Sequence, residues 1–113
     1  MTDDKWLSQA KRGILELCIL NLLSRESMHG YRIVKRLTSV PGLLTTPGTL
    51  YPLLSRLRKE GLLAGTLVES PMGPARRKYS LTAAGMRYMN DINETWRMIS
   101  LAVEETMASG KGR

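Results

Sequence analysis

Apolar and polar positions along the chain divide it into five segments. From about Trp6 to Ser24 the apolar residues are Ile14, Leu15, Leu17, Cys18, Ile19, Leu20, Leu22 and Leu23. Their spacing predicts a helix, but they cover more than one stripe of it. A helix apolar over so much of its circumference calls for two partners, its own core and a second subunit. After Ser24-Arg25-Glu26-Ser27, a short helix is predicted from Met28 to Thr38 with Ile33, Val34 and Leu37 inward, stopped by Pro41-Gly42. A third helix follows, with Thr46 as N-cap, Pro47 at its first position and Gly61 at its end. Leu50, Leu53, Leu54 and Leu57 stand at i, i+3, i+4 and i+7, a one-sided stripe, and Pro52 predicts a local distortion.

Leu62–Ser70 and Arg76–Leu81 then read as a β-hairpin. Pro71-Met72-Gly73-Pro74-Ala75 between them predicts a loop somewhat longer than the tightest type. Thr82 caps the last helix, in which Met89, Ile92, Trp96, Ile99 and Val103 recur at steps of three and four. Such a seam usually packs against another helix. Ser109–Arg113 reads as a loose tail. The fold class expected is mainly α with a small β-hairpin: a winged helix-turn-helix over residues 1–82, with a dimerisation helix and tail over 83–113. The two form one compact unit.

In a winged helix the third helix enters the major groove. Its polar side here carries Thr49, Ser55, Arg56 and Lys59, with Tyr51 at the boundary. Hydroxyl and guanidinium groups reach phosphates and base edges. The backbone around Thr46, Gly48 and Thr49 offers N–H groups to a phosphate. Arg76, Arg77 and Lys78 follow the turn directly and suit a wing on the DNA backbone or minor groove. His29, Tyr31 and Lys35 complete the candidate DNA-binding set. His29 equally suits a structural place at the start of the second helix, and Lys35 with Arg36 the wet face of it.

The charge fits this picture. With 17 Lys and Arg against 10 Asp and Glu, the net charge is +7, a field that favours polyanions. The chemistry of an enzyme is missing: one histidine, one cysteine, no acidic pair, no metal-ligand cluster and no phosphate loop. Asp3 and Asp4 fall on a loose end. Neither catalytic residues, nor a metal, nor a cofactor are expected. Cys18 sits in an apolar run where burial raises its pKa, which argues against redox sensing. One cysteine forms no disulfide within the chain. No signal peptide is visible, and Glu16 and Asn21 interrupt an apolar run too short for a membrane span. A cytoplasmic protein without membrane contact is expected.

Three stretches together are highly specific. They are Met28-His29-Gly30-Tyr31-Arg32-Ile33, Gly48-Thr49-Leu50-Tyr51-Pro52-Leu53-Leu54, and Gly73-Pro74-Ala75-Arg76-Arg77-Lys78-Tyr79-Ser80-Leu81-Thr82 with Gly85. Over roughly residues 13–98 the chain resembles the PadR family of transcriptional regulators, in its short subgroup with a single C-terminal helix. Ala75 stands where many members have another Gly or Pro. The resemblance implies a homodimer on double-stranded DNA, usually a repressor on an inverted-repeat operator. It implies a dimer interface from the first and last helices, here Leu15, Cys18, Ile19, Leu22, Met89, Ile92, Trp96, Ile99 and Val103. It also implies that Trp96, with Met89, Ile92 and Ile99, can hold a planar hydrophobic small-molecule effector, although the plainer reading of Trp96 is a dimer-core anchor. The competing reading is a winged-helix protein-interaction module without specific DNA binding; such modules usually lack the cationic wing.

Overall fold

The computed structural model describes residues 4–111. Seven elements follow one another: α1 (Asp4–Leu23), β1 (Met28–His29), α2 (Gly30–Thr38), α3 (Pro47–Lys59), β2 (Leu63–Ser70), β3 (Gly73–Leu81) and α4 (Ala83–Lys111). The order is that of a winged helix with a long terminal helix, mainly α with a small antiparallel sheet.

One core holds the helices together. Leu15, Ile19, Leu20 and Leu23 of α1 meet Ile33, Val34 and Leu37 of α2 and Leu50, Leu54 and Leu57 of α3. Met28, Leu63, Tyr79 and Met89 close it from the sheet and α4. Residues buried to this degree each stabilise the fold by about 1.5–3 kcal/mol.

The sheet differs from the expected hairpin in two ways. Met28 and His29 form a third strand, giving the order β1-β3-β2. Met28 pairs with Tyr79 and His29 with Lys78. A two-residue strand carries no alternation that a sequence pattern can register. The turn is also tighter than expected: Ser70 pairs with Gly73, so Pro71 and Met72 alone make it. The irregular register between Val68 and Ser70 falls opposite Pro74, which has no N–H to give a ladder.

Further corrections concern the helices. α1 starts at Asp4, earlier than Trp6, so Asp4 is helical, while Asp3 lies outside the described residues. α3 runs through Pro52 without a break. Pro52 is on the exposed side, where the carbonyl that loses its donor meets water. α4 continues through Ser109 to Lys111, where a loose tail was expected; the tail's last two residues, Gly112 and Arg113, lie outside the described residues. Thr46 occupies the N-cap position of α3, but its hydroxyl makes no cap bond and faces the Thr49 hydroxyl at 3.4 Å.

The end of α3 and the start of α4 interlock. Gly61 adopts φ +78°. The Leu62 N–H donates to the Leu57 carbonyl at 3.0 Å and the Gly61 N–H to the Arg58 carbonyl at 3.0 Å, a Schellman motif. Thr82 caps α4 as expected, its hydroxyl accepting the Gly85 N–H at 2.9 Å and donating to the carbonyl of Gly61.

α4 packs against α1. Asn21 and Asn93 exchange side-chain amide hydrogen bonds at 2.8 and 3.0 Å. Beyond this pair the seam of α4 changes character. Met89 is buried and Ile92 half-buried, whereas Trp96, Ile99 and Val103 are exposed, and from Leu101 to Ser109 every residue is exposed.

Candidate nucleic-acid interface

α3 shows the division its sequence predicts. Leu50, Leu54 and Leu57 are fully buried, while Gly48, Thr49, Tyr51, Pro52, Arg56 and Lys59 are exposed and Ser55 is half-buried. The amide of Thr49 donates to the carbonyl of Thr46 at 3.1 Å, and Pro47 has no amide hydrogen. The helix start therefore offers less free backbone than expected, chiefly the Gly48 amide.

The wing brings its cations beside α2 and α3. The Arg76 guanidinium carbon lies 4.7 Å from the centre of the Tyr31 ring, a cation–π contact. The His29 ring is 5.9 Å from that of Tyr31, inclined at 39°. Gly30, Tyr31, Tyr51, Arg76, Arg77 and Tyr79 line a cleft of about 540 Å³ between α2, α3 and the wing. Lys78 is exposed beside His29, as is Lys35 on α2.

Arg56 carries two ion pairs. It pairs with Glu16 at 3.4 Å and with Glu60 at 3.3 Å, which turns it toward α1. Its guanidinium braces α3 against α1 and stays half-exposed. The exchange extends to α4. Burial, together with the Glu16 carboxylate, holds the Tyr88 hydroxyl above its ordinary pKa. Glu16 thus joins three helices. Nothing in the local sequence marks it, because Arg56 is 40 positions away.

Arg58 was missed. It stands seven residues after Tyr51, on the same helical face. Its Nε is buried without a hydrogen-bond partner.

The residues expected at a dimer interface divide into two groups. Leu15, Ile19 and Met89 are spent in the chain's own core, at 2%, 0% and 6% exposure, and keep almost no surface for a second copy. Cys18, Leu22 and Ile92 are half-buried, and Trp96, Ile99 and Val103 are open. Burial pushes the Cys18 thiol up, as the apolar run predicts. Of the expected ligand-binding residues, Ile92, Trp96 and Ile99 line a cavity of about 270 Å³ with Ala10, Gly13 and Leu17 among others. Met89 is not in it, because it points into the core.

Among the described residues there is no group of His, Cys, Asp or Glu able to hold a metal ion. No helix among them is long and apolar enough to cross a membrane.

Comparison with known proteins gives a consistent result. The model of the transcriptional regulator PadR-like family matches residues 19–91. The chain is 37% identical over 81 residues to the transcriptional regulator Rv3488 of Mycobacterium tuberculosis, covering 70% of this chain and 72% of that one. It is 32% identical over 89 residues to the transcriptional regulator YqjI of Escherichia coli, covering 77% of this chain but only 41% of YqjI, so the chain spans about two-fifths of that relative. Among solved structures, a PadR-like transcriptional regulator from Bacillus cereus superposes with a TM-score of 0.76 at 35% identity, covering 88% of this chain and 96% of that one. A PadR-like transcription factor from Bacteroides fragilis gives 0.75 at 36% identity, covering 90% and 98%.

Proposed function

The chain belongs to the PadR-like family of transcriptional regulators, DNA-binding proteins, and from that premise we propose that it is a repressor acting as a homodimer on an inverted-repeat operator. Residues 1–82 form the DNA-binding part and 83–113 the dimerisation arm. α3 enters the major groove and the wing holds the flanking backbone. The observation that carries this reading is the cleft in which Tyr31, Tyr51, Arg76 and Arg77 converge between α3 and the wing. His29, Lys35, Gly48, Thr49, Ser55 and Lys78 border it or share its side of the molecule. The reading places the protein in the cytoplasm with its DNA, and assigns it no catalysis.

The test is binding to the DNA upstream of its own gene, compared with random DNA of equal length at two salt concentrations. Preference for the upstream DNA that survives the higher salt is expected. Equal binding to both, lost with salt, would reduce the protein to a non-specific cation. In the same assay, replacing Arg76 and Arg77 together by alanine should weaken binding to every sequence. It should also flatten the dependence of log affinity on log salt by up to about 2 units. An unaltered slope would take the wing off the phosphates.

A second copy would be held by Trp96, Ile99 and Val103 with the open side of α1. The cavity beside Trp96 is small for a ligand on its own. Two copies would set two such cavities side by side, suited to a planar hydrophobic effector between the Trp96 rings. Tyr88 and Glu16 line the same cavity, and Glu16 also holds Arg56 of α3. A ligand that displaced Glu16 would loosen α3 and release DNA. In a Trp6→Phe variant, which keeps Trp96 as the only indole, a planar aromatic dye should quench most of the fluorescence. Unquenched emission with dyes of several sizes would remove the effector site.

A further inference from the structure

At the root of the wing two arginines converge on one glycine. Gly65 of β2 pairs with Tyr79 of β3. A Cβ built on Gly65 would stand 2.8 Å from Cδ of Arg58 and 2.8 Å from Cδ of Arg77. The two Cδ atoms are therefore no more than twice that distance apart. Only a residue without a side chain leaves room for both stems.

Neither arginine is neutralised. Among the described residues no carboxylate pairs with Arg58 or Arg77, although Arg32 and Arg97 each have one and Arg56 has two. Arg77 has a single long hydrogen bond, to the carbonyl of Gly65 at 3.4 Å. The buried Nε of Arg58 has none. Two arginine stems this close carry unneutralised like charges, one of them partly desolvated, that repel each other in the free protein. An anion between them would remove the repulsion and accept charge-assisted hydrogen bonds from both.

The surroundings name the anion. With α3 in a major groove and the wing at the neighbouring minor groove, the sugar-phosphate strand dividing those grooves must cross between them. That path is the cleft lined by Tyr31, Tyr51, Arg76 and Arg77. Arg77 belongs both to the cleft and to the pair over Gly65, and Arg58 lies two turns along α3 from Tyr51. We propose that Arg58 and Arg77, crossing over Gly65, form a two-arginine seat for one backbone phosphate of bound DNA. This rests on the DNA-binding reading above and adds to it Arg58, and Gly65 as the residue that makes the seat possible.

Arg58→Glu separates this role from a structural one. A glutamate carboxyl carbon occupies the place of the arginine Cδ, close enough to pair with Arg77. The free protein should then unfold at an unchanged or higher temperature. Its affinity for upstream and random DNA alike should fall about tenfold or more. The salt slope should flatten by up to about 2 units, since one cation is lost and a second is tied up. Arg58→Lys should keep the slope, and Gly65→Ala should lower affinity by pushing the stems apart. A slope for Arg58→Glu equal to that of the wild type would overturn the seat. If that variant does not fold, Arg58→Gln serves, with an expected slope loss of about 1 unit and the same overturning result. Failure of the unaltered chain to bind any DNA would instead strike the reading on which the seat depends.

Discussion

Replacing Gly85 by alanine is expected to lower the thermal unfolding midpoint by about 10 °C or more, the largest effect of any single methyl group in this chain. The added carbon would stand 2.1 Å from the carbonyl oxygen of Leu62 and 2.7 Å from Cδ1 of Leu81. The leucine side chain can turn away, but the oxygen cannot. It accepts the Thr82 N–H at 3.2 Å and the Thr82 hydroxyl at 3.0 Å, the bonds that tie the start of α4 to the end of α3. Relief therefore requires α4 to move as a whole, away from Met89's place in the core. Overpacking of this kind costs about 3 kcal/mol. A domain of this size has only about 5–15 kcal/mol in all. Circular dichroism during heating reads the effect, and a midpoint within a degree or two of the wild type would mean that α4 does not sit against Leu62.

The second large effect concerns DNA and leaves the core alone. Ile99 and Val103 are 51% and 49% exposed and outside the buried core, so glutamates there leave that core intact. They would place four like charges in a helix pair built from two copies. The double substitution Ile99→Glu with Val103→Glu should give a folded monomer with the wild-type helical content. Two half-sites joined through one dimer gain about 10²–10⁴ in affinity over one alone, and the variant should lose that factor on upstream DNA. Sedimentation and binding measured on the same sample check both halves. A variant that still sediments as a dimer would move the interface off this part of α4.

Most of the fold was legible in the sequence because its helices obey a one-sided rule. Leu50, Leu54 and Leu57 announced their burial by spacing, and Gly61 and Thr82 announced the ends they cap. What escaped depends on residues far apart in the chain meeting in space. Met28 and His29 become a strand only because β3 passes beside them. Glu16 and Asn21 were visible only as interruptions of an apolar run. Their partners, Arg56 with Tyr88 and Asn93, lie on other helices and share no local pattern with them. Arg56 reads as a DNA contact because it is polar and on α3, and its pairing with Glu16 is not visible in any spacing. Leu15 and Ile19 looked available to a partner because α1 is apolar nearly all round, and spacing alone does not say which part of that surface the chain covers itself. For the interface, the sequence marks the wing cations and Tyr51 by position. The convergence of Arg58 on Arg77 needed the strand register.

The amide exchange between Asn21 and Asn93 has a consequence for how the molecule behaves as ionic strength rises. Ions screen charges strongly and neutral amide bonds hardly at all. Arginines seated on phosphates as proposed above lose their hold as counterions return, while the bracket between α1 and α4 stays shut. Salt therefore loosens the proposed DNA contacts and the exposed ion pairs, Arg56 with Glu16 among them, and spares this bracket. A regulator so arranged comes off its site in one piece, with its arm still set at the angle that a return to the same site requires.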